Sequence, residues 1–331
     1  MTNKAAVIIL NWNGKKLLEE FLPSVVEYTN KEIADVVVAD NGSTDDSIAY
    51  LEKNFPEVKL IKFDKNYGYA EGYNKAVAAV DYKYCILLND DVKAAPHWVE
   101  PLFEYCEQHP EVAACQPKIL SYKHPEEFEY AGASGGFIDC HGYPFCRGRM
   151  FGDVEKDNGQ YDDIISIFWA TGAGLFVRRD VYLEAGGLDK DFFAHMEEID
   201  LCWRIHRMGH DIKVIPQSVI YHLGGGSLPA SNPRKTYLNF RNNLLLLYKN
   251  LPAKDGKKAL IVRRLYDTLA FAMFVLKFDF ANANAVLKAH NDYRKMKKLY
   301  TPDATENLLK SFPETGRNVI FDYYLKGRKK F

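Results

Sequence analysis

Residues 36–47 read VVVADNGSTDDS. An apolar run stops at Asp40, an Asn-Gly pair follows, and Ser43, Thr44, Asp45 and Asp46 precede the next periodic segment. The run is too short for a helix and has no alternating polar residues, so it reads as a strand buried on both faces. The four polar residues supply N-cap side chains, which predicts a helix over 47–54. The same unit recurs to either side. Runs rich in Val and Ile occupy 7–10, 60–63 and 85–88, their starts roughly 25–30 residues apart, which leaves room for a crossover helix each time. Between the first two runs, Leu17, Leu18, Phe21, Leu22 and Val25 form one helical stripe with Pro23 as a bend. The pattern is βαβαβαβ, the front half of a nucleotide-binding α/β fold.

Composition limits what such a fold can be doing. The chain has 331 residues, 47% hydrophobic and 26% charged, so it can bury a large core and is not disordered. Lys plus Arg number 43 against 44 Asp plus Glu, a net charge of −1, which argues against a dedicated nucleic-acid binder. No run approaches about eighteen uninterrupted apolar residues, so no spanning helix is expected. The start, MTNKAAVIILNWNGKK, reads as a first strand and not as a signal peptide. Six cysteines without a C-x-x-C pair fit a reducing cytoplasm. Cys140, His141 and Cys146 could begin a zinc site, but no second half accompanies them, and GGFIDCHGYPFCRG reads as an exposed hairpin. Charge is unevenly spread: residues 251–331 hold 17 Lys/Arg against 8 Asp/Glu, leaving 26 against 36 in residues 1–250. That shift marks a boundary near Leu251–Gly256, between residues 1–250 and a basic, mostly helical extension, 251–331.

Beyond residue 110, strands are expected at 164–169, 174–177 and 212–215, with helices over 181–185, closed by Gly186-Gly187, and 198–208, closed by Gly209. Helical segments follow at 244–247, 260–280 and 283–298. The phosphate-cradling glycine motifs are missing. No G-x-x-x-x-G-K-[ST] occurs, and Asn11-Trp12-Asn13-Gly14 stands where a dinucleotide enzyme carries G-x-G-x-x-G. A metal is the obvious alternative partner for phosphates. Asn89-Asp90-Asp91 ends a wholly apolar strand, and paired carboxylates there repel unless a hard cation such as Mg2+ or Mn2+ is bound. Asp40, at another strand end, can accept from an imide N–H and ribose hydroxyls. Glu197, Glu198 and Asp200 open a helix beside Phe192, Phe193, Met196 and Trp203, a setting for a desolvated general base. His222 leads from a strand into Gly224-Gly225-Gly226-Ser227, a good position for a metal ligand.

In order, the motifs VIILNWNG (7–14), VVVADNGSTDDS (36–47), KNYGYAEGYNKA (65–76), LLNDDV (87–92), WATGAGLFVRRDVYLEAGGLDKDFF (169–193), EEIDLCWR (197–204) and YHLGGGS (221–227) resemble the inverting family 2 glycosyltransferases, near their rhamnosyltransferase-like branch. The resemblance spans roughly three quarters of the chain. It implies a GT-A type mixed sheet flanked by helices, with a helical C-terminal extension. It also implies a donor pocket from Asn11, Asp40, Asn41, Asn66, Gly68, Asn74, Asn89 and Asp90, with Asp40 on a pyrimidine base. By the same resemblance Asp91 occupies the metal-binding position of the D-x-D element and His222 is the distal metal ligand. Glu198 is the base of the pair Glu197-Glu198, supported by Asp200 and Arg204, and Trp169, Thr171 and Gly172 line the acceptor side.

The implied reaction passes a sugar from a nucleoside diphosphate to a glycan or lipid-linked hydroxyl, with a divalent cation (Mn2+ or Mg2+) on the diphosphate. Two rivals stand beside it: a nucleotidyltransferase, which NWNGKK serves poorly as a triphosphate loop, and a non-catalytic sugar-nucleotide or glycan-binding protein. Leu265, Leu269, Ala272, Met273, Leu276, Phe280, Ala283 and Leu287 form one helical face, expected to pack mostly on the catalytic domain. Flanking basic runs point to peripheral contact with the anionic inner face of a membrane.

Overall fold

The computed structural model describes residues 4–224 and 232–331. The expected MTN start and Gly225, Gly226 and Ser227 of the glycine run lie outside these residues. The first half follows the period read from the sequence: β1 (Ala5–Asn11), α1 (Lys15–Tyr28), β2 (Ala34–Asp40), α2 (Ser47–Asn54), β3 (Lys59–Lys62), α3 (Tyr69–Ala79) and β4 (Tyr84–Leu88). Then come β5 (Val92–Ala94), α4 (Glu100–Gln108) and β6 (Val112–Ser121). A small antiparallel sheet is built from β7 (Gly136–Ile138), β8 (Pro144–Cys146), β9 (Arg149–Met150) and β10 (Asp153–Val154). The chain continues through β11 (Ile165–Ser166), β12 (Gly174–Arg178), α5 (Arg179–Glu184), α6 (Glu197–Arg207) and β13 (Asp211–His222). Four helices close it: α7 (Pro233–Asn250), α8 (Ala253–Leu276), α9 (Phe280–Met296) and α10 (Val319–Tyr324).

The main sheet has the order β11-β13-β6-β12-β4-β1-β2-β3, with β5 paired to β13. β1 is parallel to both β2 and β4, and β12 runs antiparallel between β4 and β6, so the sheet is mixed. Alternate β1 residues serve two cores: Val7 and Ile9 meet Leu18, Leu22 and Trp98, while Ala6 and Ile8 meet Tyr73 and the α6 side. The parallel strands β1, β2 and β4 end at Asn11, Asp40 and Leu88, and this edge is where open α/β sheets bind ligands.

Several expectations change. β3 is an edge strand, exposed at Lys59 and Lys62, because no strand among the described residues pairs with its outer side. Strand 212–215 runs on to His222; its register with β6 shifts between Ile215 and Val219, a bulge that absorbs Pro216, which has no N–H to give the ladder. Of 164–169 only Ile165–Ser166 is strand; Phe168 and Trp169 are core. The GGFIDCHGYPFCRG hairpin forms but is buried. The C-terminus covers it: Phe331 lies 5.4 Å from Phe137 and 5.9 Å from Phe145, and Val319 N–H donates to Asp139 Oδ2. Cys146 Sγ takes an N–H from Arg149 and His141 packs on Tyr266, so these side chains are employed in packing. The stripe from Leu265 to Leu287 is divided by a turn at 277–279, where Phe278 has φ 58°, and most of it faces outward. Within the 251–331 extension, Leu260, Tyr293, Leu308 and Val319 belong to the same core as β4 and α6.

Asp200 joins α6 to α7. Its carboxylate, fully buried, accepts from Arg204 Nε at 2.9 Å, Lys249 Nζ at 2.8 Å and Asn250 Nδ2 at 2.8 Å. Burial opposes its charge, but the two cations and the amide override it and hold the carboxyl below the usual range. The link therefore weakens only in acid, below the ordinary carboxylate pKa of about 4. Asp200→Ala strands Lys249 and Arg204 without their anion and lowers stability by about 3–5 kcal/mol in urea denaturation; a loss under about 1 kcal/mol refutes the role.

Candidate active site

At the strand ends, Asn11 and Asp40 sit side by side in the β1–β2 register. Asn11 Nδ2 donates to Asp40 Oδ2 at 2.9 Å and Ser43 Oγ at 3.1 Å, and Asp40 Oδ1 accepts the Ser43 amide at 2.9 Å. Asn41 binds the next loop: its Nδ2 reaches Asn66 Oδ1 at 3.1 Å and the Gly68 carbonyl at 3.0 Å, and its Oδ1 accepts the Tyr67 amide at 2.9 Å. Gly68, at φ 78°, adopts the left-handed region that glycine enters without strain, immediately before α3. Gly14 must be small, because a Cβ there would lie 2.6 Å from Asn11 Oδ1 and 2.9 Å from Asp90 Oδ2. Asn11, Asp40, Asn41, Asn66, Gly68 and Asp90 thus surround one strand-end cleft.

Beyond β4, Asp91 Oδ1 stands 3.0 Å from His222 Nε2, and Asn89 Nδ2 lies 3.3 Å from the same nitrogen. β5 brings them together, since Val92 pairs with His222 across the ladder. On the other side, His222 Nδ1 is 3.5 Å from Glu129 Oε2, near enough for an ion pair but without a formed hydrogen bond. Burial disfavours the imidazolium, yet the Asp91 and Glu129 carboxylates raise its pKa to about 10. Asp90 is pushed up to about 7 by burial and by the charge of Asp91. No group of three or more His, Cys, Asp or Glu side chains among the described residues is arranged as a metal cage. The donor set nevertheless fits a divalent cation. A carboxylate oxygen and an imidazole nitrogen converge on one point, and Mg2+-type ions commonly take one or two protein ligands and complete their shell with phosphate oxygens and water. Glu129 is then the partner that orients the imidazole.

Glu197 and Glu198 form the first turn of α6, and each has one buried oxygen without a hydrogen-bond partner. Burial, then the charge of Glu198, raises Glu197 well above its ordinary value. Burial pushes Glu198 up to about 7 against the pull of the backbone amides of Glu198, Ile199 and Met196. The loop leading in is strained: Phe193, His195 and Met196 have φ of 68°, 69° and 75°. Asn242 of α7 holds it, donating to the carbonyls of Phe192, Ala194 and His195 at 2.9, 2.8 and 2.7 Å. Tyr69 spans the gap to the other cluster. Its hydroxyl donates to the Gly172 carbonyl at 3.0 Å and lies 3.3 Å from Asn89 Oδ1, and its ionisation is opposed by burial and by the charges of Tyr73, Glu197 and Glu198. A Cβ on Gly172 would strike that hydroxyl at 2.6 Å.

Other expected residues build the scaffold of the site and do not line it. Asn74 is spent on the Leu188 backbone and the Tyr182 hydroxyl, and Gly187 leaves it room. Trp169 is buried, its Nε1 donating to the Phe137 carbonyl at 2.9 Å. Arg204 grips Asp200 and the Ala185 and Gly187 carbonyls, so Asp200 and Arg204 hold α6 in place and do not address Glu198. Thr171 is buried and folds its own turn, accepting the Ala173 amide at 3.2 Å. The sequence reading missed Tyr69, Glu129 and Asn242. Tyr69 stood within a quoted motif, but nothing local marks Glu129 or Asn242, whose roles arise only from tertiary contact.

Residues 6–174, just over half of the chain, match the family described as Glycosyl transferase family 2. An N-acetylglucosaminyl-diphospho-decaprenol L-rhamnosyltransferase of Mycobacterium tuberculosis is 25% identical over 240 residues, covering 67% of this chain and 76% of that one. The dTDP-rhamnosyl transferase RfbF of Shigella flexneri is 24% identical over 301 residues, covering 85% and 92%. Among solved structures, the mannosyltransferase PcManGT from Pyrobaculum calidifontis, in complex with GDP-Man and Mn2+, superposes with a TM-score of 0.54 at 14% identity, over 88% of this chain and 87% of that one. That likeness establishes the GT-A fold. With strand-end acids, a glutamate pair at the start of α6 and these relatives in agreement, the chain belongs to glycosyl transferase family 2, among its rhamnosyltransferase-like members, and is a sugar-transferring enzyme.

Proposed function

We propose that the protein is an inverting transferase that moves a sugar from a nucleoside diphosphate to a hydroxyl of a glycan or lipid-linked acceptor, with Glu198 as general base. The observation that carries this reading is the Glu197-Glu198 pair: two carboxylates, the first buried and the second half-buried, each with one buried oxygen unpartnered, across Tyr69 and Gly172 from Asn89, Asp91 and His222. A carboxyl with a pKa near 7 in a site shielded from water can take a proton from a hydroxyl as that oxygen attacks. The new C–O bond forms on the face opposite the leaving group, the bond from the anomeric carbon to the phosphate oxygen breaks, and the nucleoside diphosphate departs with the bonding pair. Asn11, Asp40 and Asn41 hold the nucleoside end. Asp91 and His222 are the residues that would hold a divalent cation, which when bound neutralises charge growing on the diphosphate. The names of the relatives supply the first substrates to test, dTDP-rhamnose and a lipid-diphosphate-linked N-acetylglucosamine. Such an acceptor brings the enzyme to the inner, anionic face of a membrane. Release of nucleoside diphosphate coupled to an acceptor supports transfer. Pyrophosphate from a nucleoside triphosphate indicates a nucleotidyltransferase, and binding without release indicates a binding protein.

Three outcomes test the assignment. Glu198→Gln lowers turnover by about 10²–10⁴-fold while the donor Kd stays within about threefold, because shape is kept and proton acceptance is lost. Near-normal turnover in Glu198→Gln beside an inactive Glu197→Gln moves the base by one residue. In the unmutated enzyme kcat/KM rises with pH and levels off above about 7, since the base works only when ionised and burial has raised its pKa to that value. A profile flat from about pH 5 to 8 excludes Glu198 from that role. Calorimetric titration of nucleoside diphosphate tests the cation: Asp91→Ala and His222→Ala abolish the gain in affinity given by Mn2+, and Glu129→Gln reduces it by about 10–100-fold. Binding that is indifferent to Mn2+ in the unmutated protein refutes the metal assignment.

A further inference from the structure

Helix α8 turns few apolar side chains onto the core. The residues it buries are Gly256, Leu260, Arg263 and Asp267, and the last two are an ion pair at 2.8 Å. Arg263 also donates to Asn243 of α7 at 2.7 Å, and Asp267 faces His290 of α9 at 2.9 Å, so the inward face is held by polar contacts. One row of apolar residues points outward: Leu265 is 64% exposed, Leu269 62% and Leu276 79%, and the row continues past the turn with Phe278 at 81% and Phe280 at 61%. An exposed stripe this continuous marks an interaction surface and not a scatter of single residues. No helix among the described residues is long and apolar enough to cross a membrane, so any lipid contact of this face is interfacial.

Charge selects the partner. Among the exposed residues from 253 to 298, every charged one is Lys or Arg, nine in all, and none is Asp or Glu. Lys257, Lys258, Arg264 and Lys277, which border the stripe, have no ion pair among the described residues. A second copy of this chain related by a two-fold axis would set these cations against one another, with only the half-buried Asp255, Asp279 and Asp292 to offset them. An anionic bilayer satisfies both halves of the pattern, taking apolar side chains below the headgroups and cations at their level.

The face also lies at the right end of the molecule. Asn282, in the first turn of α9, accepts from Thr236 Oγ1 at the start of α7. In the same turn of α7, Arg234 stacks on Phe193 of the loop before Glu197, at 5.0 Å, and Lys235 lies over Tyr130, next to Glu129, at 5.7 Å. The turn carrying Phe278 and Phe280 is thus one helix end away from the catalytic loop. We propose that the outward face of α8, the 277–279 turn and the start of α9 dock on an anionic membrane surface and present the active site to lipid-linked acceptor; this deepens the transferase reading and rests on it only for its purpose.

Flotation of the full chain with vesicles tests the docking without turnover. Vesicles of phosphatidylcholine with about 30% phosphatidylglycerol carry the protein upward, phosphatidylcholine alone does not, and raising salt from about 0.1 to 0.5 M releases it. Phe278→Ser with Phe280→Ser, and separately Arg264→Glu with Lys277→Glu, lower the bound fraction at least about tenfold while leaving circular dichroism and transfer to a water-soluble acceptor glycoside unchanged. Equal behaviour with both vesicle types overturns the proposal. So does a dimer in sedimentation velocity that Leu265→Asp with Leu269→Asp dissolves, since the face then belongs to a second copy. Flotation that behaves as stated in a protein without transferase activity leaves the docking standing and removes the functional reading instead.

Discussion

The 3.0 Å approach of Asp91 to His222 governs the architecture of this enzyme. The two residues lie 131 positions apart in the chain, one just after β4 and the other at the end of β13. For His222 to arrive, β13 must run beside β6 for its whole length, absorb Pro216 in a bulge, and pair at its end with β5. Each of these features costs regularity in the sheet, and each makes sense as a means of delivering one imidazole to one carboxylate. Glu129 completes the set from the loop after β6, close enough that a Cβ on Gly224 would lie 2.5 Å from its carboxylate.

A second constraint follows from burial. Asp90, Glu197 and Glu198 are all driven upward in pKa, and five of the buried polar atoms without partners (Asn11 Oδ1, His195 Nε2, Glu197 Oε2, Glu198 Oε2 and His222 Nδ1) surround the cleft. Orphaned buried polar atoms are uncommon in folded proteins, and half of those among the described residues gather here. The contrast with Asp200 is instructive. It sits on the same turn of α6 as Glu198 and is more deeply buried, yet its pKa is lowered because Arg204, Lys249 and Asn250 satisfy it. Two acids two residues apart are thus shifted in opposite directions by their surroundings, one lowered and holding the helix, the other raised to where the proposed proton transfer needs it.

Much of this was legible from residue order. β1, β2, β4 and their helices follow from local period and caps, because parallel βαβ units are locally coded. The strand-end acids and the glutamate pair could be found because their chemistry is conspicuous against apolar neighbours. The sequence misled where a residue's role depends on who meets it. Asn74, Trp169 and Arg204 lie in motifs around the site yet spend their side chains on Leu188, Phe137 and the Ala185–Gly187 carbonyls. Tyr69 and Asn242 carry no local signal of what they hold. The stripe on α8 was visible as a period, but a period does not say whether its apolar side faces protein or solvent; that depends on Arg263 and Asp267 finding Asn243 and His290.

Helix α7 joins these separate parts. Along one helix, Thr236 meets α9, Asn242 restrains the strained catalytic loop, Asn243 receives Arg263 of α8, and Lys249 and Asn250 hold Asp200 of α6. These are polar contacts made in a largely apolar setting, where an unmet partner costs more than a met one gains, so they fix position more than they add stability. The left-handed residues before Glu197 would relax without Asn242, and with them the start of α6 and the aim of its glutamates. The same helix that holds the loop before the proposed base also contacts α8 and α9, so the aim of that base and the placement of the proposed membrane face depend on one element.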